Sequence, residues 1–277
     1  MKKTAFRFSV VLSTLVEFLA ATMLFGGDKN LQVLSHFSLL LNKTQQLTVY
    51  LPDRPGKHSV VYLLHGAGGD YTDWVKRTDL KNIADRFDLI IVMPDGGNYS
   101  WYSDSPLIPE SRYESYIVGE LVPFIDSAFA TYADRRGRGV CGLSMGGYGA
   151  MKFGLKYPRL FSSVSSMSGV LTIMHHPEGW SMPRIFGSQG EHPEAWRKED
   201  LISILQSAKD SIVAIKFDTG LDDFALLDNR EFLSALQKLH RTFEYGEFPG
   251  THSWRYWGSH LEEHLEFHAR NLIHSAK

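Results

Sequence analysis

Apolar and polar positions in this chain group into blocks. Five runs rich in apolar and β-branched residues stand out: Ser59 to Leu64, Leu89 to Met93, Gly139 to Cys141, Phe161 to Met167 and Ser211 to Phe217. Each ends at a turn signal such as His65-Gly66, Pro94-Asp95-Gly96 or Asp218-Thr219-Gly220. Between them the spacing becomes helical over Tyr113 to Tyr132, Tyr148 to Lys156 and Asn229 to His240. Strands that are apolar on both faces and alternate with helices predict an α/β protein, with a mostly parallel sheet covered on two sides. In such sheets ligands bind beyond the carboxyl ends of the strands, so chemistry is sought in the turns just named.

Two stretches depart from the pattern. Lys2, Lys3 and Arg7 precede an apolar run from Val10 to Phe25, followed by Gly26, Gly27 and the polar Asp28, Lys29 and Asn30. That is the order of an export signal, so residues 1–27 are expected to send the chain to the periplasm or outside the cell. A cytoplasmic amino-terminal extension is the other reading, because Glu17 sits in the run and no small-x-small cleavage site follows. A carboxylate at the bilayer centre costs about 2.5–3.5 kcal/mol, which argues against a stable membrane span. The remainder, 28–277, has no repeat and no long linker and reads as one domain. Within it, 171–201 interrupts the alternation with Pro177, Pro183, Pro193, Gly179, Gly187 and Gly190. An irregular insertion carrying Trp180, Met182, Phe186 and Trp196 is expected to act as a lid.

Composition removes several functions without supplying one. Lys and Arg total 29 against 31 Asp and Glu, a net charge of -2, so no basic footprint argues for nucleic acid or an anionic membrane. The single cysteine, Cys141, leaves no internal disulfide, no cysteine zinc site and no C-x-x-C pair. The function has to be read from motifs.

Gly142-Leu143-Ser144-Met145-Gly146 is a G-x-S-x-G. It gains weight from its setting: Arg138-Gly139-Val140-Cys141 reads as a buried strand entering it, and Gly147 to Phe153 as a helix leaving it. This is a nucleophile elbow, in which small neighbours let a serine project from a sharp turn. A serine hydroxyl needs a base, and the base needs an acceptor to hold its tautomer. In the order serine, acid, histidine, the acid falls in Thr219-Gly220-Leu221-Asp222-Asp223-Phe224, where Asp222 and Asp223 compete. The histidine is His252, in the Phe248-Pro249-Gly250-Thr251-His252-Ser253-Trp254 loop before the last helix. An oxyanion needs two aimed donors. The N–H of Met145 supplies one by position, and Ala67, in Leu64-His65-Gly66-Ala67-Gly68-Gly69, is the candidate for the other. His65 reads as structural.

These stretches together resemble the esterase D or putative-esterase family of α/β-hydrolases, which includes S-formylglutathione hydrolases, tributyrin esterases, feruloyl esterases and the antigen 85 mycolyltransferases. The matching residues are Leu64-His65-Gly66 with Gly69 and Trp74, Met93 to Gly97, Gly142 to Ala150 with Tyr157-Pro158 and Phe161, Gly220 to Phe224, and His252-Ser253-Trp254. The resemblance spans about residues 45 to 260 and implies an α/β-hydrolase fold over 28–277. It further implies a serine carboxylesterase with Ser144, Asp223 and His252 as its triad, Ala67 and Met145 as its oxyanion hole, and no cofactor or metal. In that family the acid is the third residue after the loop glycine, which selects Asp223. The implied substrate is a small-molecule or polysaccharide-linked ester, faced by Trp101, Tyr102, Trp180 and Trp254. Acyl transfer to a sugar hydroxyl is the competing activity, and a non-catalytic binding module on the same fold the competitor from another class. Formylglutathione hydrolases carry Ser-Gly-Leu-Thr-Cys where this chain has His65 to Gly69, which counts against that activity.

Twelve histidines suggest metal, but the rest of the chain offers bland alternatives. His260, His264 and His268 recur every four residues and are read as a solvated helix face opposite Trp257, Leu261 and Leu265. His175 and His176 lack a third ligand. Cys141 is expected to be buried and inert.

Overall fold

The computed structural model describes residues 23–24, 27–208 and 213–274. Nearly all of the expected export signal lies outside these residues. Among them, no helix is long and apolar enough to cross a membrane.

Among the described residues, nine strands form one sheet. In chain order they are β1 (Met23–Leu24), β2 (Leu31–Ser38), β3 (Lys43–Tyr50), β4 (Ser59–Leu64), β5 (Leu89–Pro94), β6 (Arg138–Leu143), β7 (Ser163–Met167), β8 (Ala214–Gly220) and β9 (Glu244–Phe248). Across the sheet they run β1-β2-β3-β5-β4-β6-β7-β8-β9. The pairs from β1 to β5 are antiparallel and every pair from β5 to β9 is parallel. Every residue of β4, β5, β6 and β7 is buried, as expected of strands covered on both faces. Alternate residues feed two separate cores. Val60, Tyr62, Leu64, Val92 and Val140 face one of them; Val61, Leu63, Ile91, Met93 and Cys141 face the other.

The first core is closed by α5 (Met145–Lys156) and by a helical stretch over 113–128. That stretch consists of α3 (Tyr113–Tyr116), a π turn over Ile117–Leu121 and α4 (Val122–Ala128). The periodicity suggested an unbroken helix to Tyr132. Pro123 has no N–H for the turn before it, and the helix widens there. The second core is closed by α1 (Asp73–Arg77), α2 (Leu80–Ala84) and α10 (Trp254–Asn271). The expectation of a solvated histidine face on α10 is corrected: His264 and His268 have no exposure. His264 Nε2 lies 2.6 Å from Asp218 Oδ2, and the His268 ring sits between the hydroxyls of Ser163 and Ser165. These polar partners on β7 and β8 let α10 lay imidazoles against the sheet. Burial lowers the His268 pKa to about 3, so it is neutral there.

Residues 171–201 are more regular than their glycines and prolines suggested. They hold α6 (Met182–Phe186) and α7 (Pro193–Glu199), followed at once by α8 (Leu201–Ser207). Pro183 and Pro193 lie at the first turns of α6 and α7, where the missing N–H costs nothing. Met182, Phe186 and Trp196 are core residues with no exposure; of the four large apolar residues noted in this stretch only Trp180 reaches the surface. A buried ionic cluster ties the segment to α5. Lys152 Nζ lies 2.9 Å from Glu199, 3.1 Å from Glu114 and 2.5 Å from Ser103 Oγ.

Candidate active site

The sheet brings three loops together at the carboxyl ends of β6, β8 and β9. Between β6 and α5, Ser144 takes φ 53° and ψ −120°, a left-handed conformation that turns its side chain out of the strand. Its N–H donates to the Met167 carbonyl at 3.0 Å, and its own carbonyl accepts from Tyr148 N–H at 3.0 Å. Gly146 must be glycine for space: a Cβ there would stand 2.5 Å from the carbonyl oxygens of Leu64 and His65. This close approach seats the elbow against the turn that follows β4.

The structure brings Ser144, His252 and Asp223 into one hydrogen-bonded line. His252 Nδ1 lies 2.9 and 3.0 Å from the two Asp223 carboxylate oxygens, and Nε2 lies 2.9 Å from Ser144 Oγ. A carboxylate accepts only, so Nδ1–H donates to Asp223 and the bare Nε2 accepts the serine hydroxyl. Ala225 N–H donates to Asp223 Oδ1 at 2.8 Å and fixes the carboxylate. Asp223 is buried, whereas Asp222 faces solvent. The loops carrying the acid and the base are zipped together by Leu221 N–H to Phe248 O and Asp222 N–H to Gly250 O. The His252 ring is held between Phe224, with centroids 4.3 Å apart, and Trp257, at 4.9 Å and perpendicular. Neither aromatic was singled out as a site residue, although Phe224 directly follows Asp223.

Met145 follows the serine directly, and the turn that carries Ala67 lies against the elbow. Met145 opens α5, so its N–H has no acceptor within the helix. The turn bearing Ala67 abuts the elbow, since a Cβ on Gly66 would meet Ser144 Cβ at 3.4 Å. His65 braces this turn. Its Nδ1–H donates to Gly66 O at 2.7 Å, its Nε2 accepts from Gly96 N–H at 2.9 Å, and its carbonyl accepts from Tyr102 OH at 3.1 Å. Burial lowers the His65 pKa and keeps the ring neutral, as an accepting Nε2 requires.

The four expected substrate-facing aromatics separate. Trp101 and Tyr102 lie in the core, 1% and 0% exposed, so they support the site from beneath and offer no open face. Trp254 packs edge-on to Trp74 and under the Arg77 guanidinium. Trp254 is half-buried, and Trp180, 37% exposed, is the most open of the four. Cys141 is buried, and burial pushes its thiol up to about 12, where it is protonated and unreactive at neutral pH. Among the described residues no three histidine, cysteine or acidic side chains gather as a metal site.

The architecture and the motifs have known counterparts. The family described as "Putative esterase" matches residues 38–268. An acetyl esterase of Caldicellulosiruptor saccharolyticus is 28% identical over 260 residues, which cover 84% of this chain and 96% of that protein. An esterase of Mycobacterium tuberculosis is 30% identical over 76% of this chain, which spans 52% of that longer protein. Among solved structures, a ferulic acid esterase superposes with a TM-score of 0.77 at 29% identity, covering 87% of this chain and 98% of its own. With the match running through most of the sheet and all three loops, the chain belongs to the putative esterase family, as an ester-hydrolysing enzyme of the α/β-hydrolase fold.

Proposed function

We propose that the protein is a serine carboxylesterase acting on short acyl esters, of the acetyl or feruloyl type, through an acyl-enzyme. The observation that carries this reading is the unbroken line Ser144–His252–Asp223. In it, His252 Nε2 takes the hydroxyl proton as Ser144 Oγ attacks the ester carbonyl, and Asp223 stabilises the imidazolium. The N–H groups of Met145 and Ala67 receive the oxyanion, a contact worth about 3–4 kcal/mol for each donor. The imidazolium then protonates the departing alkoxide, and water repeats the sequence on the acylated serine. The acyl preference rests on likeness to an acetyl esterase and to a ferulic acid esterase.

Acetate release from p-nitrophenyl acetate and ferulate release from methyl ferulate test the substrate class; turnover of neither overturns it. The acid assignment has its own test. Asp223→Asn is expected to lower kcat by about 10³–10⁴-fold, while Asp222→Asn, at an exposed position, stays within about twofold. The reverse ranking would transfer the role to Asp222.

A further inference from the structure

A row of aromatic rings continues outward from His252. Phe224 packs on it, and Trp180 stacks on Phe224 with centroids 4.9 Å apart and 26° between the planes. His176 closes against both rings, 5.2 Å from Trp180 and 5.8 Å from Phe224. Trp180 and Phe224 nevertheless remain 37% and 44% exposed, and Leu221, three residues before Phe224 in the acid loop, is 45% exposed. Apolar surface of this size left in water next to reacting groups marks a binding face.

The fold goes to some expense to hold this face in place. Trp180 and Ser181 have φ of 42° and 60°, and Trp101 and Tyr102 have φ of 54° and 47°. Non-glycine residues adopt that region only when their surroundings impose it. The two strained pairs are joined, because Trp101 Nε1–H donates to the Trp180 carbonyl at 3.1 Å. On the other side Asp228, 1% exposed on α9 (Leu226–Lys238), receives His175 Nδ1 on one oxygen and His176 Nε2 on the other, both at 2.8 Å. The insertion is thus clasped to the helix that follows the acid loop.

The position identifies which half of an ester meets the rings. His252 Nε2 has to reach the departing oxygen to protonate it, so the alcohol leaves along the side of the His252 ring. Phe224 and Trp180 extend from that ring. We propose that the Trp180–Phe224 stack binds the alcohol half of the substrate and selects alcohols that carry a flat-faced ring, aryl or sugar, with Trp101 and Asp228 as positioning residues. This rests on the Ser144–His252 chemistry proposed above.

The test holds the acyl group constant and varies the alcohol: ethyl acetate, benzyl acetate and methyl 6-O-acetyl-glucoside, with acetate release followed in each case. In Trp180→Ala the ratio of kcat/KM for a ring ester to that for ethyl acetate is expected to fall about tenfold, the scale of one aromatic contact, chiefly through KM. Whichever ring ester suffers the fall distinguishes aryl from sugar. Trp180→Phe should restore most of the ratio. Asp228→Asn, which keeps both rings and loosens their hold, should lower the same ratio through KM. Because each ratio is internal to one variant, partial misfolding cancels. Unchanged ratios for both ring esters in Trp180→Ala overturn the platform while leaving the ester chemistry intact. A Ser144→Ala protein as active as wild type overturns the chemistry beneath it instead.

Discussion

Ser144→Ala is expected to lower kcat for p-nitrophenyl acetate by on the order of 10⁶-fold, with the protein still folded. The hydroxyl oxygen is the atom that forms the acyl-enzyme, and it is the group His252 Nε2 faces at 2.9 Å. Without it there is no covalent route, and the donors of Met145 and Ala67 can assist only direct attack by water. The conformation of the elbow separates catalysis from stability. Ser144 holds a φ of 53° at the entry to α5, which a glycine adopts without strain. Ser144→Gly should therefore be as inactive as Ser144→Ala and melt at a higher temperature, by about 1 kcal/mol of relieved strain. Steady-state rates and thermal melts of the two variants check both halves. Activity within about tenfold of wild type in either would remove Ser144 from the reaction.

The second large effect is on stability. Lys152 is fully buried between Glu114 and Glu199, and Lys156 also pairs with Glu114. Removing one partner of such a group strands the others, so Lys152→Met is expected to cost about 3–5 kcal/mol, or roughly 10 °C in Tm at pH 7. The cluster also sets an acid limit. Burial alone would raise the Glu114 carboxyl, but Lys152 and Lys156 outweigh it and bring its pKa from the ordinary 4.5 to about 2. A carboxyl with a folded pKa below its unfolded one stabilises the protein fully above pH 4.5. That contribution fades as pH falls from 4.5 towards 2. The Tm deficit of Lys152→Met should therefore shrink between pH 7 and pH 3. A variant that melts within about 2 °C of wild type at pH 7 would mean that the cluster contributes no net stability.

How much could be read in advance depended on whether a residue's partner is near it in sequence. The strands β4, β5 and β7 were legible because each is an unbroken apolar or small-residue run. In contrast, β2 and β3 are half-covered antiparallel strands rich in Gln, Ser, Thr and His, and β9, Glu-Tyr-Gly-Glu-Phe, is a polar edge strand half-buried along its length. Such strands lack the apolar run that identifies a central one. Ser144 announces itself through its flanking glycines: the small residues stand beside it in sequence, although the Leu64 and His65 carbonyls that require Gly146 come from a distant turn. Asp222 and Asp223 are equivalent by chain order, and only the family resemblance chose between them; what separates them physically is burial and the position of an imidazole 29 residues away. The same holds for His264 and His268, whose helical spacing looks like a solvated face until Asp218, Ser163 and Ser165 are brought beneath them. Nor does anything local in Lys152 reveal two carboxylates arriving from 38 and 47 residues away.

The most direct measurement is covalent. A fluorophosphonate reacts with a serine that a neighbouring base has activated, and it leaves a phosphonyl group on the attacking oxygen. After brief incubation, peptide mass spectrometry of the wild type should place one phosphonyl group on Ser144, and His252→Ala and Ser144→Ala proteins should remain unlabelled. Label on another residue, or an active esterase with no label on Ser144, would contradict Ser144 as the nucleophile.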